Sequence, residues 1–490
     1  MSCRKQSNRK RKQRRREIQR RKNKTLFQAL ASWLIPDDGL FAKDRFHGNT
    51  KWKPEQLTRQ ALIWAWQDTK NVTDAFDRTL EVCRDLRIEE AAKSYTRFIN
   101  ALARYRETFN LRLRQHFQFL AEEVGGRFWR DNKWVLVGFD GSRATTPRTV
   151  SNETAFCAPN YGKGKTAKYR PKKTKGMRRR QNEKNPSEPQ APQVWITMMW
   201  HMSLRLPWTW RLGPSNSSER GHVMEMLKDE EFPQDTLFCG DAGFVGYDFW
   251  KAIVDADGHF LVRVGANVNL LSETADVKRD GGGIVLCWPK DKMNSGAEPL
   301  RLRLVEIKIG KTKMWMLTSV LDNKDLSVKK IIQYYMMRWG VEVEYRGLKQ
   351  TIDKWLLRCR NSARVYAELD WSIRAMAFAE LLALREQLPK DDESPAESEQ
   401  EYDPKDRSLA NTIRALRKCM RNLNQDVDPS SDLLSQLAEA CVQKYHNRTD
   451  KKARYRPPNK DKKPLGEPTI TKLNREAREK LAQLAERIAA

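Results

Sequence analysis

The pattern of apolar and polar positions divides the chain into a helical part, a part rich in strands and a second helical part. Between residues 25 and 127, apolar residues recur every three or four positions, which predicts amphipathic helices. From residue 134 the pattern changes to short apolar runs rich in β-branched and aromatic residues, which predict buried strands. Helical spacing returns after residue 319. The sequence therefore predicts an α/β protein with helical regions at both ends.

The strand-rich part begins with three strands, a helix, a strand, a helix and a strand, which is the order of an RNase H-like core. Asp140 ends the first strand, WVLVGFD, and Asp241 follows the fourth, TLFCG. Ionised groups avoid burial unless they are paired or bind a metal, so two strand-end carboxylates indicate chemistry. Taken singly, each aspartate could equally cap a turn or the next helix.

A third acidic residue lies in the segment YYMMRWGVEVEYRGLKQ, where four residues follow the spacing Y-x2-R-x3-E-x6-K. On a continuous α-helix these four residues share one stripe roughly 21 Å long. An aromatic ring, two cations and a carboxylate make a poor core stripe, but they suit an anionic polymer beside a metal. The four residues are Tyr335, Arg338, Glu342 and Lys349.

Two other residues of this segment carry expectations. Gly340 costs about 1 kcal/mol relative to alanine inside a helix, which predicts a close approach there by a strand or by DNA. Glu344 is about 160° from Glu342 around the helix, and we expect it to be an ordinary surface residue.

The four-residue spacing resembles the YREK signature of DDE transposases in the insertion sequence 4 family. The resemblance covers most of the chain from Asp140 to about residue 390. It implies that Asp140, Asp241 and Glu342 are catalytic and together hold two ions of Mg²⁺ or Mn²⁺. It also implies that Tyr335, Arg338 and Lys349 contact phosphates near a cleaved DNA end.

The activity that the resemblance implies is cut-and-paste transposition by nicking, a hairpin intermediate and strand transfer. The implied partners are double-stranded DNA, as terminal inverted repeats and as target, and a second copy of the chain in the DNA complex. In relatives an aromatic residue of a β-rich insertion stacks on a flipped base; Trp288 and Trp315 are candidates, although a core role is more common. A structure-specific nuclease on the same core and a non-catalytic DNA-binding descendant are alternatives. The full signature with its insertion argues against the first, and the carboxylate trio against the second.

Charge agrees with a nucleic-acid partner. The net charge is +29 with a pI near 9.8. Residues 1–24 hold 13 Lys/Arg and one acid, and residues 161–184 hold 11 Lys/Arg and one acid. Concentrated basic charge is typical of binding to a phosphate backbone, although a solubilising tail, RNA or an acidic partner are alternatives. The candidate DNA-binding residues in the second run are Lys172, Lys173, Arg178, Arg179 and Arg180.

Other patterns narrow the class of protein. Eight scattered cysteines without a C-x-x-C pair predict neither a disulfide framework nor a zinc site. No apolar run approaches the roughly 18 residues of a membrane helix, and the basic N-terminal segment lacks the apolar stretch of a signal peptide. We therefore expect a reduced, cytoplasmic protein without a membrane partner. The resemblance to insertion-sequence transposases further implies a nucleoid-associated, prokaryotic protein.

Composition and pattern together predict seven segments. These are a basic arm that is disordered or becomes helical only on DNA (1–24), a helical DNA-binding domain (25–128), the first part of the RNase H-like core (129–264), a β-rich insertion (265–318), the second part of the core (319–389), an acidic linker (390–404) and a helical basic C-terminal region (405–490).

Overall fold

The computed structural model describes residues 2–156, 191–214, 216–274, 277–310, 312–388, 402–423, 432–442 and 465–489. Its centre is one mixed sheet of ten strands in the order β10-β6-β7-β8-β9-β5-β4-β1-β2-β3. The strands are β1 (Val135–Thr145), β2 (Gln193–His201), β3 (Leu206–Gly213), β4 (Thr236–Gly240), β5 (His259–Val264), β6 (Asn269–Ser272), β7 (Gly282–Cys287), β8 (Leu300–Ile309), β9 (Thr312–Thr318) and β10 (Thr469–Lys472).

Five neighbouring strands form the RNase H-like half of the sheet. Their order is β3-β2-β1-β4-β5; β2 runs antiparallel to β1 and β3, whereas β1, β4 and β5 run parallel. Strand β1 is buried along its first five residues, as the apolar run WVLVGF predicts. This strand order confirms the predicted α/β fold class.

The β-rich insertion extends the same sheet. Strand β9 pairs antiparallel with β5, and β8, β7 and β6 continue outward from it. Strand β10, from the C-terminal region, pairs parallel with β6 at the edge. A small separate core, which contains Leu286, Trp288, Leu473 and Ala477, joins the insertion to the helix after β10.

The helices pack around the sheet, and the helix Ser362–Gln387, which is buried along most of its length, is the centre of their packing. They are α1 (Ser2–Leu34), α2 (Pro54–Trp66), α3 (Val72–Asp85), α4 (Tyr95–Arg104), α5 (Arg106–Gly125), α6 (Val150–Ala155), α7 (Glu219–Asp229), α8 (Tyr247–Asp255), α9 (Lys290–Asn294), α10 (Val328–Met337), α11 (Gly340–Arg346), α12 (Ser362–Gln387), α13 (Leu409–Arg421), α14 (Leu433–Ala438) and α15 (Arg475–Ala489). Among these described helices, none combines the length and apolar composition that a membrane crossing requires.

Helix α12 links the helical regions to the sheet. It is buried from Val365 to Leu384 except at Tyr366. The Trp66 indole N–H of α2 donates to the Ala375 carbonyl at 2.8 Å, and the rings of Phe109 and Trp371 lie 5.7 Å apart. The N-terminal helices therefore share one core with the RNase H-like half of the sheet.

The basic N-terminal segment differs from the predicted disordered arm. Residues 2–34 form the single helix α1, without a boundary at residue 24. The helix contains neither Gly nor Pro, and Lys, Arg and Gln favour helix. Its last turns are fixed because Phe27, Leu30 and Leu34 are buried in the main core.

Candidate active site

The two strand-end aspartates lie at the same level of the sheet. Strands β1 and β4 are parallel, and their last aligned pair is Gly138 with Cys239. Asp140 and Asp241 each follow two residues beyond that pair. The sequence predicted that the first strand ends at Asp140, but β1 does not end there. It continues to Thr145 because β2 still pairs with it beyond the end of β4.

Glycines shape the backbone at this edge. A Cβ at Gly240 would overlap the Phe139 ring, so only glycine allows β4 to lie this close to β1. The Asp241 Oδ1 accepts the Gly243 N–H at 2.7 Å, which turns the chain after β4. The Asp140 Oδ1 accepts the Gly141 N–H at 2.9 Å. Backbone hydrogen bonds therefore orient both carboxylates.

The signature segment is not one continuous helix. Helix α10 ends at Met337 and α11 begins at Gly340, with a turn at Arg338 and Trp339 between them. The close approach expected at Gly340 is made by the indole ring of Trp200 on β2, which a Cβ would overlap. A π turn, Gly347–Thr351, follows α11. The four signature residues therefore do not form the single exposed stripe that the sequence predicted.

Two signature residues, Tyr335 and Arg338, are inside the protein, at 5% and 4% exposure. The Arg338 guanidinium lies 5.9 Å from the centre of the Tyr335 ring, and its Nη2 is 3.8 Å from the Glu342 Oε1. The Glu342 side chain itself is 46% exposed. Arg338 therefore supplies a buried positive charge beside the acidic group.

Lys349, the last signature residue, reaches back to strand β1. Its Nζ donates to the Ser142 Oγ at 2.7 Å, two residues beyond Asp140. Partial burial lowers the pKa of Lys349. The Tyr345 hydroxyl donates to the Asp140 carbonyl at 2.8 Å and further fixes α11 on β1.

The three predicted carboxylates interact electrostatically. Burial and, to a smaller extent, the charges of Asp241 and Glu342 together raise the pKa of Asp140 to about 6. The Gly141 N–H and the Arg338 guanidinium oppose that rise. Asp140 thus interacts with both Asp241 and Glu342, and the negative charge of these acids is only partly compensated.

A fourth acid, Glu219, belongs to the same cluster and was missed from the sequence. Burial raises the pKa of Glu219 to about 7, with contributions from Asp140 and Asp241. Its carboxylate lies against Gly141, where a Cβ would overlap it. Glu219 follows the N-cap Ser218 of α7, an ordinary place for an acid. No local pattern distinguishes it, and only the packing of α7 beside β1 does so.

The donor set fits the hard divalent ions that the resemblance implies. All candidate ligands are carboxylates, which suit Mg²⁺ and Mn²⁺. Their mutual repulsion around Asp140 leaves negative charge that a cation would offset. As placed, no three Asp, Glu, His or Cys side chains within the described ranges are close enough to hold one ion. The fit therefore rests on donor chemistry and charge.

Exposed tryptophans near the carboxylates differ from those that the sequence singled out. Trp288 and Trp315 are both 4% exposed and have core roles. Trp339, three residues before Glu342, is 55% exposed, and Trp355 is 59% exposed. The Trp355 carbonyl accepts the Thr145 N–H at 2.9 Å, which fixes this residue at the far end of β1.

Two further expectations have different outcomes. Glu344 is not a surface residue; it is 4% exposed because that side of α11 faces α12 and the loop before α13. There it meets Glu380 and Arg407, and burial raises the pKa of Glu344 to about 7. The basic residues Lys172, Lys173, Arg178, Arg179 and Arg180 lie outside the described residues.

One comparison with known proteins, the match to a family model, supports a transposase domain. Residues 201–378 match the family model described as "Transposase DDE domain". This segment includes Asp241, Glu342 and Lys349 but begins after Asp140. A solved structure similar to the chain is described as a piggyBac transposase synaptic complex with hairpin DNA. It has 13% identity and a TM-score of 0.35, with 87% of each chain covered. The sequence matches no curated protein.

Proposed function

We propose that this protein is a DNA transposase that cuts and joins DNA by metal-dependent phosphoryl transfer. One observation carries the proposal. Asp140 and Asp241 lie at the same level of adjacent parallel strands, and the charges of Asp241 and of Glu342 from the signature segment both act to raise the pKa of Asp140. The similarity of residues 201–378 to a transposase DDE domain supports the same activity.

The three carboxylates, Asp140, Asp241 and Glu342, would hold the divalent ions. When bound, Mg²⁺ or Mn²⁺ would stabilise the attacking and leaving oxygens of an in-line displacement at phosphorus. Arg338 keeps a positive charge 3.8 Å from Glu342 and opposes the rise in the pKa of Asp140. It thereby favours the ionised carboxylates that ion binding needs.

DNA would approach on the exposed side of these carboxylates. Glu342 and Trp339 are exposed there, and Lys349 lies beside Asp140 through Ser142. A lysine ammonium suits a phosphate oxygen as a compact point charge, and an exposed indole suits stacking with an unpaired base. The concentrated basic charge of the sequence would add sequence-independent affinity.

The reaction sequence that we propose has four displacements without a covalent protein intermediate. Water attacks a phosphorus atom at one end of the transposed DNA, which breaks the bond to the 3′ oxygen and frees a 3′-hydroxyl. That hydroxyl attacks a phosphorus atom of the opposite strand, which forms a hairpin and displaces the flanking DNA as a 3′-hydroxyl. Water then attacks the same phosphorus atom and opens the hairpin. The regenerated 3′-hydroxyl attacks target DNA and displaces one of its 3′-hydroxyls. We propose that two copies of the chain act together on the two ends.

The test uses a plasmid that carries the gene with its native flanking DNA. Purified protein should nick this plasmid in Mg²⁺ or Mn²⁺ and join the released end to a second plasmid. EDTA should stop both reactions, and Ca²⁺ should permit binding without cutting. Asp140→Asn, Asp241→Asn and Glu342→Gln should each lose nicking and joining while retaining DNA binding.

Asp248→Asn is the matched control. Asp248 is not one of the three candidate ligands, and its Oδ1 forms a surface ion pair with the Lys292 Nζ, at a distance of 2.6 Å. It should keep wild-type activity. Full cleavage in EDTA would remove the metal-dependent mechanism. Cleavage without joining would make the protein a nuclease, and binding without cleavage would make it a DNA-binding protein.

A further inference from the structure

The π turn Gly347–Thr351 determines where Lys349 points. The Ile352 N–H donates to the Gly347 carbonyl at 3.1 Å, five residues back. Such turns are rare and concentrate at functional sites. In a regular α-helix the residues after Gly347 would point in other directions. The contact of Lys349 with Ser142 therefore depends on this turn being maintained.

Helix α13 packs directly on the first residue of the π turn. A Cβ at Gly347 would overlap the Leu409 Cδ2, so the leucine side chain occupies the space that any larger residue would need. Leu409 begins α13, which lies outside the segment similar to a transposase DDE domain. A separate helix thus contacts the turn at its start.

Helix α13 also contacts the last residue of the π turn. The Arg417 Nη1 donates to the Thr351 carbonyl at 3.3 Å. Its Nε donates to the Trp66 carbonyl at 2.7 Å, and its Nη2 donates to the Gln67 carbonyl at 3.2 Å. Carbonyls at helix ends lack partners within the helix. One half-buried guanidinium therefore ties the end of the π turn to the end of α2.

The loop before α13 is itself anchored in the protein interior. The Arg407 Nη2 donates to the Leu204 carbonyl at 2.9 Å and lies 3.9 Å from the Glu380 Oε1. Arg407 and Glu380 are both buried. Helix α13 is thus fixed to α12 and to the β2–β3 turn, and it can serve as a rigid support for the π turn.

We propose that Leu409 and Arg417 are positioning residues of the candidate active site. They hold the π turn in the shape that brings Lys349 to Ser142, beside Asp140. Neither side chain contacts the acidic cluster in the structure. The consequence for catalysis rests on the proposed function, whereas the support of the turn is a property of the fold.

The central test compares Arg417→Met with Arg421→Met in the full-length protein. Both variants remove one positive charge from α13, but Arg421 forms an exposed ion pair with Asp68 at 3.0 Å, whereas Arg417 donates to the π turn. Arg417→Met should slow single-turnover nicking of the plasmid with native flanking DNA by about 10- to 100-fold, since a misplacement of about 1 Å can cost about 10²-fold. The affinity of Arg417→Met for that DNA should change by less than about two-fold. In Arg421→Met, both the nicking rate and the DNA affinity should change by less than about two-fold.

Hydrogen exchange tests the support of the turn without any activity. The amides of Ile352 and Lys354, which donate to the Gly347 and Leu348 carbonyls, should exchange faster in Arg417→Met than in the wild type or Arg421→Met. Arg417→Lys should recover part of the protection and part of the nicking rate, because an ammonium can donate to some of the same carbonyls. Equal exchange and equal rates in the two methionine variants would overturn the proposal.

Leu409→Ala gives a second route if Arg417→Met fails to fold. It removes the contact at Gly347 but leaves the hydrogen bonds of Arg417, and it should also speed exchange at Ile352. Wild-type exchange at Ile352 in a folded Leu409→Ala protein would contradict a positioning role for Leu409. If the wild-type protein cuts no DNA, the proposed function fails, while the exchange result still decides whether α13 supports the turn.

Discussion

Replacing Asp140 with Asn should stabilise the protein in the absence of divalent ions. The pKa of Asp140 rises from an ordinary value of 3.8 to about 6 through burial and the nearby acids. A carboxyl group with a raised pKa stabilises the folded state below pH 3.8, and this contribution is lost as the pH rises through about 6. At pH 8 the ionised group therefore opposes folding. Asparagine avoids that penalty, and its Oδ1 can still accept the Gly141 N–H.

The size of the effect follows from the shift. A change of about two pKa units corresponds to at most about 3 kcal/mol, at about 1.4 kcal/mol per unit. Partial exposure of the carboxylate screens its interactions, so we expect a gain of about 1–2 kcal/mol at pH 8. The gain should be smaller at pH 5, where part of the wild-type population is protonated.

Urea unfolding in EDTA at pH 5 and pH 8, followed by tryptophan fluorescence, measures this difference. Asp255→Asn is the control: Asp255 forms an exposed pair with Lys251 at 2.6 Å, and its loss should change stability by less than about 0.5 kcal/mol. Adding Mn²⁺ at about 100 times its dissociation constant should stabilise the wild type by about 2.7 kcal/mol and leave Asp140→Asn unchanged. A gain that is absent at pH 8, or equal at both pH values, would refute the reasoning.

Three further predictions concern packing and charge. Gly340→Ala should destabilise the protein in thermal or urea unfolding, because its Cβ would overlap the Trp200 ring. The overlap should cost about 1–3 kcal/mol, and the higher helix propensity of alanine should offset up to about 1 kcal/mol of that cost. An unchanged melting temperature would contradict the contact. Glu344→Gln should keep the nicking rate within a few-fold of the wild type, because the glutamine amide can still form a hydrogen bond with Glu380. Glu344→Ala should lower the free energy of unfolding by about 2 kcal/mol or more. Equal stability of the two variants would exclude this buried interaction. Glutamine at Lys172, Lys173, Arg178, Arg179 and Arg180 should reduce the slope of log affinity against log salt by about 0.9 per lost phosphate contact, and an unchanged slope would assign these residues to solubility alone.

Local pattern predicted the parts of the site that depend on neighbouring residues. The apolar runs before Asp140 and Asp241 predicted the two strands, although β1 continues past Asp140 to Thr145, and the order of elements predicted the sheet. The departures come from contacts between distant segments. Trp200 packs on Gly340, and Leu409 packs on Gly347. No spacing within the signature segment encodes these partners, so its turn at Arg338 and its π turn were not predictable.

The same limit applies to burial. The residues around Glu344 do not indicate that α12 and Arg407 cover it, and nothing around Glu219 indicates that β1 lies beside it. Conversely, the close approach at Gly340 was predictable because glycine is costly inside a helix, although the identity of its neighbour was not.

The pairing of β10 with β6 has a consequence for the time course of synthesis. Thr469 aligns with Asn269, a residue that leaves the ribosome 200 positions earlier. At a synthesis rate of about 5–20 residues per second, the edge of the sheet therefore lacks its last strand for roughly 10–40 s. During this interval Leu286 and Trp288 lack Leu473 and Ala477, which complete their core. An uncovered strand edge favours pairing with other chains, so a newly made chain is most prone to aggregate in this interval.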